Sequence, residues 1–130
     1  MVKIELKPMI YKHEHNREIL AHDVIDGFEF YITSLGTHPC AYIHIPETHS
    51  LSGFNYIDEV EELVNCHGGV TWFENHLPNS QKHIKGKWLG WDYGHCCDYM
   101  FYCDGFANEG KKWTTEEILK EVKEVIAQIK

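Results

Sequence analysis

Apolar and charged positions alternate over residues 2–7, with Val2, Ile4 and Leu6 set against Lys3, Glu5 and Lys7. That period of two predicts a half-buried strand. Two further strand-like runs, 19–25 and 28–33, flank Asp26-Gly27, a dipeptide whose backbone suits the tight turn of a β-hairpin. Residues 41–45 read as a short strand ended by Pro46, which has no amide hydrogen to offer a ladder. Residues 47–54 read as loop. In 56–64, Ile57, Val60, Leu63 and Val64 share a helical face, but a loop running into a strand fits as well. Residues 69–73 predict a strand after Gly68-Gly69, 75–85 a polar loop around Pro78, and 87–93 a strand. The last element is the clearest. Thr114-Thr115-Glu116-Glu117 is a capping box, and Ile118, Leu119, Val122, Val125, Ile126 and Ile129 then form one helical stripe. Strands first and a helix last predict a single α+β domain over 1–130. Its sheet is mostly antiparallel, with the C-terminal amphipathic helix packed on one face.

Composition narrows the partners. The chain has 130 residues, 43% hydrophobic and 13% aromatic. That is enough to bury about two-thirds of the unfolded surface without disulfides or a structural metal. No apolar run reaches membrane-spanning length, and the N-terminus lacks the apolar core of a signal peptide, so a cytoplasmic protein is expected. Formal net charge is −8 and Arg17 is the sole arginine, which argues against duplex nucleic acid as a partner. A small phosphorylated ligand held by amides, histidines and a few lysines stays compatible. The five cysteines, Cys40, Cys66, Cys96, Cys97 and Cys103, include an adjacent pair and no CxxC. The pattern points to free thiols rather than a disulfide framework or a zinc knuckle.

Two segments concentrate chemistry. One is Cys66-His67-Gly68-Gly69-Val70-Thr71-Trp72; the other is Trp88-Leu89-Gly90-Trp91-Asp92-Tyr93-Gly94-His95-Cys96-Cys97-Asp98. Adjacent glycines after His67 permit a sharp turn and an anion-binding nest of amides. Asp92, His95 and Asp98 are spaced by three, and in a turn all three would converge on one point. A carboxylate beside a histidine fixes its tautomer and raises its basicity. Bland readings compete. Most histidines are satisfied structural residues, and His13, His15, His22, His38, His44, His76 and His83 are read so. Trp72, Trp88 and Trp91 are read as core before stacking platform.

The same stretches resemble a family of small, uncharacterised phage-encoded proteins. Its motifs are His-Gly-Gly-Leu/Val-Thr and Gly-aromatic-Asp-x-x-His-x-x-Asp. The matching pieces are 42–46, His49, Tyr56 with Asp58, 67–72 and 88–98, in the family's order. Tyr93 stands where the family has Cys, and Cys96-Cys97 where it has small residues. Thr48-His49-Ser50 replaces Gly-His-Pro. His49, His67, Thr71, Asp92, His95 and Asp98 carry over, so the cysteines are not expected to do the chemistry. The resemblance implies a phage or prophage origin and, by association, an anti-defence protein in the cytoplasm of an infected host cell.

The expected function is a phosphodiesterase-type hydrolase cleaving a cyclic nucleotide or dinucleotide immune signal. His67 and His95 serve as general base and acid, Asp92 orients His95, and Asp98 joins the catalytic set. Gly68-Gly69 amides hold phosphate oxygens and Thr71 adds a hydrogen bond. Trp72, Trp91 or Tyr42 stacks on a base, and His49 completes the ligand set through the resemblance. A divalent metal, zinc or manganese on His67, Asp92, His95 and Asp98, stays open. The alternatives are a nucleotide-sequestering sponge without turnover and a protein inhibitor of a host enzyme. No membrane partner is expected, and an exposed strand edge favours a homo-oligomer.

Overall fold

A computed structural model of the chain describes residues 3–12, 16–101 and 109–130. The hairpin forms around Asp26-Gly27: β1 (Glu18–Ile25) and β2 (Phe28–Ser34) pair antiparallel. Asp26 and Gly27 have φ of 52° and 84°, the left-handed pair that a type I′ turn demands. The register slips between Ile19 and Ala21, so Leu20 is the extra residue of a bulge and points into the core. β3 (Pro39–Ile45) continues the sheet, and a single 3-10 turn (Ser50–Gly53) and the short α1 (Ile57–Glu61) follow. β4 (Trp72–Glu74) and β5 (Lys87–Asp92) come next, and α2 (Thr115–Ile129) ends the chain. The strand order is β1-β2-β3-β5-β4, antiparallel throughout. β5 thus inserts between β3 and β4, leaving the three-residue β4 at the edge.

Alternation divides the sheet into two faces. Phe30, Ile32, Ala41, Ile43, Leu89 and Trp91 meet Ile118, Val122, Val125 and Ile126 of α2. Each fully buried aliphatic side chain there stabilises the fold by about 1.5–3 kcal/mol, and a charge at Val122 would break the layer. Tyr31, Cys40, Tyr42, Trp72 and Trp88 lie on the other face, covered by Leu35, Leu77 and Ile84. The helix starts as the capping box predicts: Glu117 N–H donates to Thr114 Oγ1 at 3.2 Å, and Thr114 N–H to Glu117 Oε1 at 3.1 Å.

Three expectations need correction. Residues 3–7 form no strand; the backbone contact there is Lys7 N–H to Leu20 O at 2.8 Å. Ile4 and Leu6 still pack on the core while Lys3, Glu5 and Lys7 face outward, so alternation reported a buried side without a pairing partner. The strand read over 69–73 is only Trp72–Glu74, because Gly68 and Gly69 adopt φ of 70° and 85° and turn the chain. Residues 47–54, read as loop, hold the 3-10 turn, whereas the helical reading of 56–64 is the one that forms, as α1. Among the described residues no helix is long and apolar enough to cross a membrane.

Candidate functional site

The pairing of β4 with β5, extended by Thr71 N–H to Gly90 O at 2.9 Å, brings the His67 turn beside the end of β5. There the chain leaves the sheet at Asp92 and turns back over His95–Asp98, closed by Asp98 N–H to His95 O at 3.0 Å. Gly68 is the contact point. A Cβ on it would lie 2.3 Å from Cδ2 of His95, and its φ is +70°. Only glycine lets the His95 ring rest on that backbone.

Two imidazoles result, each with its own carboxylate. Nε2 of His67 lies 2.8 and 2.7 Å from the two oxygens of Asp98. The Asp98 side chain is 2% exposed and that of His67 24%. Asp98 also accepts Trp113 Nε1–H at 2.8 Å and His95 N–H at 3.0 Å. These donors offset the cost of burying a carboxylate. His67 donates through Nε2, so Nδ1 is the nitrogen left to exchange a proton.

Nε2 of His95 lies 3.1 Å from Oδ1 of Asp92. The ring N–H does not aim along that line, and Nε2 is buried without a hydrogen bond among the described residues. Asp92 is itself fixed, accepting Gly94 N–H at 3.0 Å and Thr71 Oγ1–H at 3.1 Å. Short but misaligned contacts of this kind are common at catalytic histidines before substrate binds. The two ring centroids are 6.1 Å apart.

The helix α2 supports the pair from below. Glu121 accepts His67 N–H at 2.8 Å on one oxygen and the Tyr93 hydroxyl on the other. Tyr93 stacks on His67 at 4.6 Å, and Trp113 meets it edge-on at 4.9 Å. Burial, then the bond to Glu121, pushes the Tyr93 phenol well above its ordinary range. Burial, then the Glu121 charge, pushes the Cys66 thiol up to about 12. Cys66 is therefore a poor nucleophile despite adjoining His67. An open cavity of about 310 Å³ lies alongside, lined by His95, Cys96, Cys97, Asp98, Met100 and Glu109. A larger groove of about 780 Å³ runs along residues 3–7 and Glu116, but no histidine lines it.

His67, Thr71, Asp92, His95 and Asp98 thus come together, with Gly68 beneath. The turn does not focus Asp92, His95 and Asp98 on one point; it splits them into two His–Asp pairs. Gly69 is not a free anion donor, because its N–H already donates to Cys66 O at 3.0 Å. His49 lies elsewhere. It bonds Ile129 O at 2.7 Å and accepts Leu51 N–H at 3.0 Å, tying the 3-10 turn to the end of α2. Trp91 is core, with its N–H on the Tyr93 hydroxyl at 3.0 Å. Tyr42 is buried on the helix-free face, and Trp72 shares that face, bonded to His76 O at 2.9 Å. None of these three rings is a platform over the two histidines.

Among the described residues, no three His, Cys, Asp or Glu side chains converge as a metal-binding group. Cys40, Cys66, Cys96 and Cys97 are free thiols. His13, His15 and Cys103 lie outside the described residues. Sequence reasoning missed Glu121, Tyr93 and Trp113. Glu121 had a signal: it is a charge three residues after Ile118 and four before Val125, on the apolar stripe itself. No family model, curated protein or solved structure matches the chain.

Proposed function

We propose that the chain is a phosphodiester hydrolase acting on a small cyclic nucleotide or dinucleotide, with His67 and His95 as its general base and acid. The observation that carries this reading is the spacing of two imidazoles, 6.1 Å between centroids, each beside a separate carboxylate. That gap accommodates one tetrahedral centre with its attacking and leaving oxygens each in reach of one ring.

A ribose 2′-hydroxyl next to the scissile phosphate supplies the nucleophile. One histidine takes its proton as oxygen bonds to phosphorus. The other gives a proton to the departing ribose oxygen as that phosphorus–oxygen bond breaks, and water then opens the resulting 2′,3′-cyclic phosphate with the two histidine roles exchanged. Asp98 and Asp92 hold the rings and stabilise each imidazolium as it forms. The setting proposed is the cytoplasm of an infected host cell, where a phage protein of this kind would remove an immune signal. Homo-oligomerisation through the β4 edge belongs to the same proposal.

The test is a panel of cyclic mono-, di- and trinucleotides and linear nucleotides, each with and without chelator. Chromatography is run before and after heat denaturation. A new product peak, absent in folded His67→Ala and His95→Ala proteins, is the expected result. Ligand that disappears and returns intact on heating would mark a sponge. No change in any lane would sink the nucleotide reading and point to a host protein as partner.

A further inference from the structure

We infer that Cys96 and Cys97 form a redox couple, opening and closing a vicinal disulfide at the tip of the turn that joins the two His–Asp pairs. The inference does not rest on the hydrolase reading. The two sulfurs are 3.8 Å apart, and both residues are exposed. They occupy the two central positions of the His95–Asp98 turn. Cys97 there has φ of 75°, the left-handed value that a type II turn requires and usually gives to glycine. Strained backbone of this sort persists only where the surroundings over-determine it. Here the clamps are visible: His95 N–H on Asp98 Oδ2, Asp98 N–H on His95 O, and Lys111 N–H on Cys97 O at 2.9 Å.

The other described thiols do not compete. Burial pushes both Cys40 and Cys66 up to about 12. Cys97 is also raised, first by its contact with the Cys96 sulfur, and both sulfurs stand exposed where a small disulfide can reach them. The oxidant is a low-molecular-weight disulfide such as oxidised glutathione. Cys96 thiolate attacks one of its sulfurs, that S–S bond breaks, and one thiolate leaves. Cys97 thiolate then attacks Cys96 Sγ, forming the vicinal bond and expelling the second thiolate. The chain loses two electrons and two protons, and the oxidant becomes two thiols.

The closed form is labile for a geometric reason. Neighbouring Cα atoms are about 3.8 Å apart across a trans peptide, closer than the roughly 4.4–6.8 Å of ordinary disulfides. Strained, exposed disulfides have oxidising potentials and reopen readily. The couple therefore stands open in a reducing cytosol and closes when the glutathione pool is oxidised.

The test equilibrates the unmodified full chain across ratios of reduced to oxidised glutathione. Alkylation then traps free thiols, and cleavage after Lys87 and after Met100 releases residues 88–100, which hold Cys96 and Cys97 without Cys40, Cys66 or Cys103, for mass analysis. The expected result is loss of two hydrogens from the fragment holding Cys96 and Cys97, complete in excess oxidant and fully reversed by dithiothreitol. Cys97→Ser replaces it with a glutathione adduct on Cys96. Full alkylation of both cysteines at every ratio, or a bond from either to Cys103 or to another chain, would overturn the inference.

Discussion

The carboxylate of Asp98 stands 2.7 Å from Nε2 of His67 while also accepting the Trp113 indole N–H and the His95 backbone N–H. Three donors therefore meet two oxygens in a nearly dry site. Asp98→Asn keeps the shape but has one oxygen, so at least one donor faces an NH₂ group. The expected cost is about 1–3 kcal/mol of stability. Hydrolysis of the nucleotide identified by the panel falls by about 10²–10⁴-fold, because His67 loses its orienting charge. Urea denaturation and single-substrate turnover check the two halves separately.

Gly68→Ala would push a methyl group against His95 at a φ that other residues avoid. We expect a stability loss of about 1–2 kcal/mol from the backbone and a larger relative loss of turnover from the displaced ring. Gly53→Ala is the control. Nothing lies within 4 Å of its added Cβ, and its stability and activity should match the parent. Equal turnover in both variants would show that the seat of His95 is irrelevant to the chemistry.

Local chemistry made the hairpin and α2 legible. Asp26-Gly27 needs no distant partner to turn, and the Thr114–Glu117 box closes on itself. The insertion of β5 between β3 and β4 was not legible, since ladder partners far apart in sequence carry no local mark. Residues 3–7 show the converse, where alternation is real but the ladder is missing. At the site, His95 with Asp92 was readable because the two sit three apart. His67 with Asp98 was not, because the pair spans 31 positions and meets only through the fold. Trp91 takes the core position read for it first, while Tyr42 fails as a base platform because aromatic type does not reveal which sheet face a ring takes.

His49→Ala should separate folding from chemistry. The ring holds Ile129 O and caps the 3-10 turn. That contact is roughly 12 Å along α2 from Glu121, given the helical rise over eight residues. A loss of about 1–3 kcal/mol in thermal or urea unfolding is expected, with turnover per folded molecule unchanged. A folded variant with lost turnover would restore His49 to the ligand set.

Alkaline pH should weaken the fold in a defined window. Burial raises the thiols of Cys40 and Cys66 from 9.0 to about 12, and the Tyr11 phenol from 10.0 to about 12. Tyr42 and Tyr93 are raised further. The unfolded chain gives up these protons first, so above about pH 9 the folded chain binds more protons and stability declines. The contribution is complete below that pH and is lost progressively through about pH 12. Urea midpoints that fall steadily across this range would bear this out. A midpoint unchanged up to about pH 11 would contradict it.

Trp113 donates its indole N–H to Asp98 and presents its edge to the His67 ring. Trp72 and Trp88 lie across the sheet, on the face α2 does not touch. The protein therefore carries its own fluorophore inside one His–Asp pair and reference fluorophores outside it. An indole responds to its hydrogen-bond partner and ring neighbours, so a change of geometry at the His67–Asp98 pair is written into the emission of Trp113. With Trp113→Phe as the blank, that signal follows the site in real time without label, substrate or crystal.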